Sequence, residues 1–287
     1  MRRILELVGL LALVGLGIGA LRLWPALRAA QGKQAPVVDT VPPELPDELG
    51  NDGRLAILLF SKTSGFRHAE AIPACERSVR EIAARRGWRV FATENAAVFG
   101  DAWLARFRVL VSNNATGDNW SAPQREAFRR WLEAGGGFVG VHGAAGTRYR
   151  FWDWYTDELL HARFIGHPVF PQLQTARVVV EDRAHPATAQ LGESFVHEDE
   201  WYTFERSARG PGVRVLASLD ESSYRPRELW KSLAMGDHPI VWSHCPGQGR
   251  VFYSALGHSA PTYARPEHAR MLEGAIAWAA GVEGDCR

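Results

Sequence analysis

The chain has 287 residues, with 33 basic against 32 acidic side chains for a formal charge of +1, and 46% of its residues are apolar and 10% aromatic. That composition excludes a disordered or low-complexity chain, and without a long basic run it excludes a nucleic-acid partner, whose phosphates call for clustered Lys and Arg. Cys75, Cys245 and Cys286 lie far apart with no Cys-x-x-Cys, which indicates neither a disulfide framework nor a cysteine zinc site and leaves at least one thiol free.

Met1-Arg2-Arg3 precedes a mainly apolar run from Ile4 to Trp24, interrupted only by Glu6 and Arg22. About 20 such residues span a bilayer as a helix. No clean Ala-x-Ala precedes Gln31, which favours an uncleaved anchor over a signal peptide. Leu7 to Leu21 carries no charge, unlike a buried amphipathic helix. Basic residues flank the run on both sides, so the expectation of a body outside the cytoplasm, periplasmic or otherwise, rests on the position of the run and not on charge bias. Residues 1–24 are therefore read as an anchor that contacts the membrane through residues 4–24. Residues 25–52 are read as a stiff linker carrying Pro36, Pro42, Pro43 and Pro46. The folded body is placed at residues 53–283.

Arg54 to Phe60 is a short apolar run without alternation, the pattern of a strand buried on both faces of a parallel sheet. The spacing from Glu70 to Arg86 predicts a helix closed by Gly87. Trp88 to Thr93 is read as a strand, Asp101 to Arg106 as a short helix and Val109 to Ser112 as a strand. Ser121 then caps a helix to Ala134 with Pro123 in its first turn, and Phe138 to His142 is a fourth apolar strand. This alternation is the mark of a doubly wound α/β layer, whose ligands sit at the carboxyl ends of the strands. Beyond Arg150 the rhythm changes to extended segments at 174–180, 195–204, 213–219, 239–242 and 249–255, with a closing helix from Glu267 to Ala280. The reading is one domain with added β elements.

His68, His142 and His258 each follow a predicted strand, so a parallel sheet gathers them at one edge. Neutral imidazole is both a metal ligand and a base near pH 7. In Gly140-Val141-His142-Gly143-Ala144 small residues flank a His where a nucleophile elbow carries Ser or Cys, which argues against an acyl-enzyme; the alternative is that the glycines only permit tight packing. In His197-Glu198-Asp199-Glu200-Trp201-Tyr202, strand alternation sends Glu198 and Glu200 to one face and Asp199 and Trp201 to the other. The aromatic neighbours of Glu200 predict a raised carboxyl pKa. Phe164-Ile165-Gly166-His167-Pro168 is read as a rigid turn holding one His, and His185-Pro186 as a plain turn. The aromatic run from Phe151 to Tyr155 fits either sugar stacking or a core.

Taken together, Thr63-Ser64-Gly65-Phe66-Arg67-His68, Gly135-Gly136-Gly137-Phe138-Val139-Gly140-Val141-His142, Phe164 to Pro168, Asp199-Glu200-Trp201-Tyr202 and Gly249-Arg250-Val251-Phe252-Tyr253 running to Gly257-His258 make the chain resemble the ThuA-like (trehalose-utilisation) family over about Arg54 to Gly281. The resemblance implies an α/β fold of the flavodoxin-like, class I glutamine amidotransferase-like kind, a three-layer sandwich with a mainly parallel sheet and added β elements. It also implies a role near disaccharide or modified-sugar catabolism and a pocket at His68, His142, His167, Glu200 and His258. The amidotransferase cysteine is absent, since His142 stands at the elbow. Trp201 departs from the smaller apolar residue usual in the family, and the amino-terminal span is a second departure.

The leading expectation is a membrane-anchored protein acting on a sugar or keto-sugar as a lyase, isomerase or hydrolase, with or without a divalent metal. Removing a proton beside a carbonyl needs a base near it and a positive group on the oxygen. His142 and His258 are the expected metal ligands or polarising groups and Glu200 the base; His68, His167, Trp201 and Tyr202 would contact the small-molecule carbohydrate, His68 alternatively the metal. The rival readings are a non-catalytic sugar-binding module on the same scaffold and an anchored scaffolding protein that would show a large exposed apolar patch.

Overall fold

Thirteen strands are described in chain order: β1 (Ala56–Phe60), β2 (Arg89–Thr93), β3 (Val109–Asn113), β4 (Gly137–Val141), β5 (Phe164–Gly166), β6 (Gln174–Val180), β7 (Ser194–Asp199), β8 (Thr203–Phe204), β9 (Val213–Leu219), β10 (Arg227–Glu228), β11 (Lys231–Ser232), β12 (Pro239–His244) and β13 (Arg250–Ser254). The helices are α1 (Ala71–Arg86), α2 (Asp101–Leu104), α3 (Ala122–Glu133), α4 (Ala260–Tyr263) and α5 (Pro266–Ala279). They come from a computed structural model that describes residues 38–44, 46, 49, 53–147 and 152–286. The apolar segment 4–24 and most of the 25–52 linker lie outside the described residues. Among the described residues no helix is long and apolar enough to cross a membrane.

Nine strands form one sheet in the order β2-β1-β3-β4-β13-β12-β9-β6-β7. The first five are mutually parallel, and the last four are joined by antiparallel pairings. β1, β3 and β4 are buried along their whole length, which is why they read as unbroken apolar runs. β6 alternates buried and exposed residues, as a strand with one face in solvent does. Helices cover both faces of the parallel half. Gly137 of β4 lies so close to α5 that a Cβ there would sit 2.2 Å from the Ala279 carbonyl oxygen. One residue on, Phe138 meets Phe128 of α3 from the other side, ring centroids 5.9 Å apart. α1 ends on Gly87 at φ 69° with its N–H on the last-turn carbonyls. α3 starts with the Gln124 side chain accepting the Ser121 N–H at 2.8 Å.

Four antiparallel steps from β13 return β7 to the direction of the parallel strands, so β7 ends on the same rim as β1, β4 and β13. In a flat sheet β7 would lie about 19 Å from β13. Asp199 at the end of β7 nevertheless bonds the loop after β13, at 2.8 Å to the Gly257 N–H. The antiparallel half must therefore curl back over the rim.

The structure adds to the sequence pattern at several points and departs from it at others. The segment 195–204 is not one strand: β7 stops at Asp199, and Glu200 to Tyr202 leave the ladder before β8. The 164–168 turn begins as a strand, β5, paired with β8. Residues 38–44, within the stretch read as a stiff linker, lie against the body. The Asp39 carboxylate pairs with Lys62 and accepts the Ala96 N–H at 2.8 Å, and the Val41 carbonyl takes Asn95 Nδ2 at 2.9 Å. Cys245 and Cys286 form a disulfide across 41 residues, which their spacing did not indicate, while Cys75 is the free, buried thiol. Trp152, Trp154 and Tyr155 pack on Trp120 and Phe128, with Arg125 and Arg129 over the two indoles, so this cluster is part of the core.

Candidate active site

β4 ends at Val141, and His142 follows at φ 41°, a left-handed conformation that costs a residue with a Cβ about 1–2 kcal/mol. The strained corner turns the imidazole over the sheet rim, as an elbow does, and glycine packing alone does not account for it. Gly143 is needed beside it, because a Cβ would lie 3.0 Å from Asn114 Cα and 3.1 Å from His68 Nδ1. His142 Nδ1 is 2.7 Å from the Ala255 carbonyl, which can only accept. Nδ1 therefore carries a proton, and Nε2 faces the cluster.

His142 Nε2 is 3.4 Å from Glu200 Oε2 and 3.3 Å from His258 Nδ1, and His258 Nδ1 is 3.1 Å from Glu200 Oε2. His68 completes the group, with one donor atom from each of the four residues within 4.8 Å of all the others. Its Nδ1 is buried without a hydrogen-bond partner. The other carboxylate oxygen, Glu200 Oε1, lies 3.2 Å from His167 Nε2 and accepts Gln172 Nε2 at 2.6 Å. His167 Nδ1 is in turn 2.9 Å from the Pro168 carbonyl. The structure thus brings His68, His142, His167, Glu200 and His258 together. His142 is fully buried and Glu200 nearly so, whereas His167 and His258 are partly open, at 25% and 16% side-chain exposure, and mark the way in.

Burial by itself would raise the Glu200 carboxyl pKa, as its aromatic neighbours suggested. The hydrogen bonds from His142 and His258 and the charge of His167 outweigh it, and the pKa falls well below the usual carboxylate range. Glu200 is ionised. His68 is driven the other way, well below the ordinary imidazole value, by burial and by the two neighbouring histidines. Burial lowers His258, but the Glu200 hydrogen bond and charge overcome it and its pKa is raised.

Trp201 and Tyr202, expected to contact the carbohydrate, are both buried. Trp201 is 1% exposed, with its indole N–H on the Gln174 carbonyl at 2.7 Å. Tyr202 is 3% exposed and backs the site, its ring centroid 4.2 Å from that of His142. Asp199, assigned by alternation to the face away from Glu200, is part of the same structure. Its Oδ1 accepts the N–H of Glu200 at 2.9 Å and of His258 at 3.0 Å, and its Oδ2 takes Gly257 N–H and the Thr262 hydroxyl. Alternation fails because the strand stops at Asp199. Adjacent acids at a strand end beside aromatic residues were the signal available. Burial would raise Asp199, but the neighbouring His197 and His142 rings and the Gly257 amide bring it down to about 2.

The model of the ThuA family, described as trehalose utilisation, matches residues 56–279. No curated protein matches. Among solved structures, a ThuA-like protein from Bacteroides uniformis superposes with a TM-score of 0.69 at 24% identity, covering 83% of this chain and 95% of that one. A ThuA-like protein from Parabacteroides merdae gives 0.59 at 18%, covering 79% and 90%. A cytoplasmic protein from Salmonella typhimurium gives 0.52 at 9%, covering 78% and 98%. At these identities the likeness is one of fold. With the family model spanning β1 to the end of α5, the chain belongs to the ThuA, or trehalose-utilisation, family.

Proposed function

We propose that this chain is an enzyme acting on a sugar or keto-sugar, on an amidotransferase-like scaffold whose elbow carries His142 in place of cysteine. The observation that carries the reading is the meeting of His142 Nε2, His258 Nδ1 and Glu200 Oε2 at 3.1–3.4 Å on the strand-end rim. An ionised carboxylate beside imidazoles provides a proton acceptor and polarising groups for a carbonyl oxygen, the pairing that proton removal beside a carbonyl requires. His167 and His258, the exposed members, are the first groups an incoming carbohydrate meets. The family's trehalose label supports a carbohydrate ligand.

The body is proposed to lie outside the cytoplasm, held by the apolar segment 4–24. The Cys245–Cys286 bond is an independent support, because disulfides persist in oxidising compartments.

The test is solvent-deuterium incorporation. Purified full-length chain is incubated in D2O with a panel of disaccharides and their oxidised keto derivatives, and exchange beside the carbonyl and product formation are followed by NMR. Wild type should exchange or convert one class, and Glu200→Gln should slow it by about 10²–10⁴-fold. Saturable binding with neither exchange nor conversion would replace this reading by that of a sugar-binding module.

A further inference from the structure

We propose that His68, His142, Glu200 and His258 form a binding site for one first-row divalent transition-metal ion, open on the side of His167. This deepens the catalytic reading above and rests on it only for the ion's purpose, since ion binding is measured without substrate.

Donor atoms that share a metal at bonds of about 2.0–2.1 Å in tetrahedral geometry stand about 3.3 Å from one another. The three donor separations among His142 Nε2, His258 Nδ1 and Glu200 Oε2 are 3.1, 3.3 and 3.4 Å. Imidazoles radiating from one ion place their ring centroids about 4.5 Å apart for octahedral and about 5.2 Å apart for tetrahedral geometry. The centroids of His68, His142 and His258 are separated by 4.8, 5.0 and 5.3 Å, with every pair of rings within 10° of perpendicular. Rings so spaced around a carboxylate fit a shared ion, and one donor atom from each of the four residues lies within 4.8 Å of the others.

Proton bookkeeping separates an ion from the simplest rival. A proton on His258 Nδ1 can serve Glu200 Oε2 and His142 Nε2 together, but it gives His68 nothing to bind. His68 is buried in the cluster with Nδ1 unmet by the protein. A cation uses a nitrogen from every ring and the carboxylate at once. The supporting shell is also that of a metal site. His142 is oriented by the Ala255 carbonyl, Glu200 is held by its second oxygen on Gln172 and His167, and His258 is fixed by Asp199 through its backbone. Three imidazoles and one carboxylate suit zinc, iron, cobalt or nickel in the divalent state better than magnesium or calcium, which prefer all-oxygen shells. With the ion in place, polarisation of a substrate oxygen passes from the imidazoles to the metal.

The experiment is elemental analysis of the full-length chain after dialysis in metal-free buffer, followed by titration of the chelator-treated protein with Co(II) and reading of its visible d–d absorption. Wild type should hold about one ion per chain and give a saturable band, while His68→Ala, His142→Ala and Glu200→Gln bind at least about tenfold more weakly. Glu198→Gln, exposed on β7 and outside the cluster, should keep the ion. Circular dichroism establishes that each variant is folded, and three independent ligand variants keep the test open if one of them is not. Wild type without a saturable band, or folded ligand variants that bind as well as wild type, would overturn the proposal. Sugar turnover by a wild type that binds no ion would overturn it while leaving the catalytic reading intact. Ion binding without turnover would do the reverse.

Discussion

The Asp199 carboxylate accepts the backbone N–H of His258 at 3.0 Å, joining the last residue of β7 to a loop four strands away in the sheet order. The same side chain takes the N–H groups of Glu200 and Gly257 and the Thr262 hydroxyl, so one buried carboxylate sets the spacing of two site residues. Removing it strands three amide donors. Asp199→Ala should therefore cost about 3–5 kcal/mol, at about 1–3 kcal/mol for each buried group left unmet. Asp199→Asn should recover only part of that, because its NH2 group would face donors where Oδ2 accepts. Urea denaturation of the three proteins measures both steps. A loss below 1 kcal/mol for Asp199→Ala, as for an ordinary surface substitution, would remove Asp199 as the link.

How far this site was legible depends on the residue. His68, His142 and His258 follow buried parallel strands, whose apolar runs survive in the sequence because both faces are covered, and strand-end position alone brought them together. Glu200 was found from its neighbours, but its charge state was inverted, since aromatic residues adjacent in sequence say nothing of three imidazoles that arrive from other loops. Asp199 and Gln172 act through contacts across the curled antiparallel half, and no local pattern encodes that curl. β5 is three residues long, too short for a period. The Cys245–Cys286 pair was invisible for a similar reason, because the sequence does not show that the chain end returns to the loop after β12.

Gly143 should not tolerate a methyl group. Two of the atoms a Cβ would meet at 3.0 and 3.1 Å are Asn114 backbone, and Asn114 is itself at φ 51°, so neither side can yield easily. Gly143→Ala is expected to lose about 1–3 kcal/mol by overpacking and, by pressing on His68 Nδ1, to disturb the cluster as well. Thermal unfolding together with the NMR shifts of the His68 ring would show both effects. An unchanged melting temperature would mean that the corner is looser than described.

The disulfide ties down the chain end after α5. There the Trp278 indole N–H donates to the Asp285 carbonyl at 2.8 Å and Arg250 reaches the Gly284 carbonyl at 3.0 Å. A crosslink spanning 41 residues is worth up to about 4 kcal/mol by the chain-entropy argument. Cys286→Ser should lose about 2–4 kcal/mol in guanidinium denaturation and respond to no added reductant, whereas the wild type should fall to the level of the variant when reduced. Equal stability of oxidised and reduced wild type would show that the bond does not restrain the unfolded chain. Turnover should be little changed, since the bond lies off the site.

Stability should also fall on mild acidification, and His185 gives the sign. It is fully buried, its Nδ1 accepts the Ala187 N–H at 3.1 Å, and it lies against Trp278. Burial and the charges of Arg214 and Arg250, against a smaller opposing effect of Asp182, lower its pKa from 6.5 to about 4. Between those two values the unfolded chain binds the proton and the folded one does not. Its contribution is thus complete above about pH 6.5 and is lost as pH falls toward 4, at about 1.4 kcal/mol per unit and ~3 kcal/mol in all. His244 and His268, also buried and brought to about 4, act in the same sense. His185→Asn keeps an oxygen acceptor for the Ala187 N–H while removing the titration, so its stability should decline less steeply than that of wild type from pH 6.5 to 4.5. Urea midpoints at three pH values in that window decide it, and parallel slopes for the two proteins would mean that His185 is protonated in the fold.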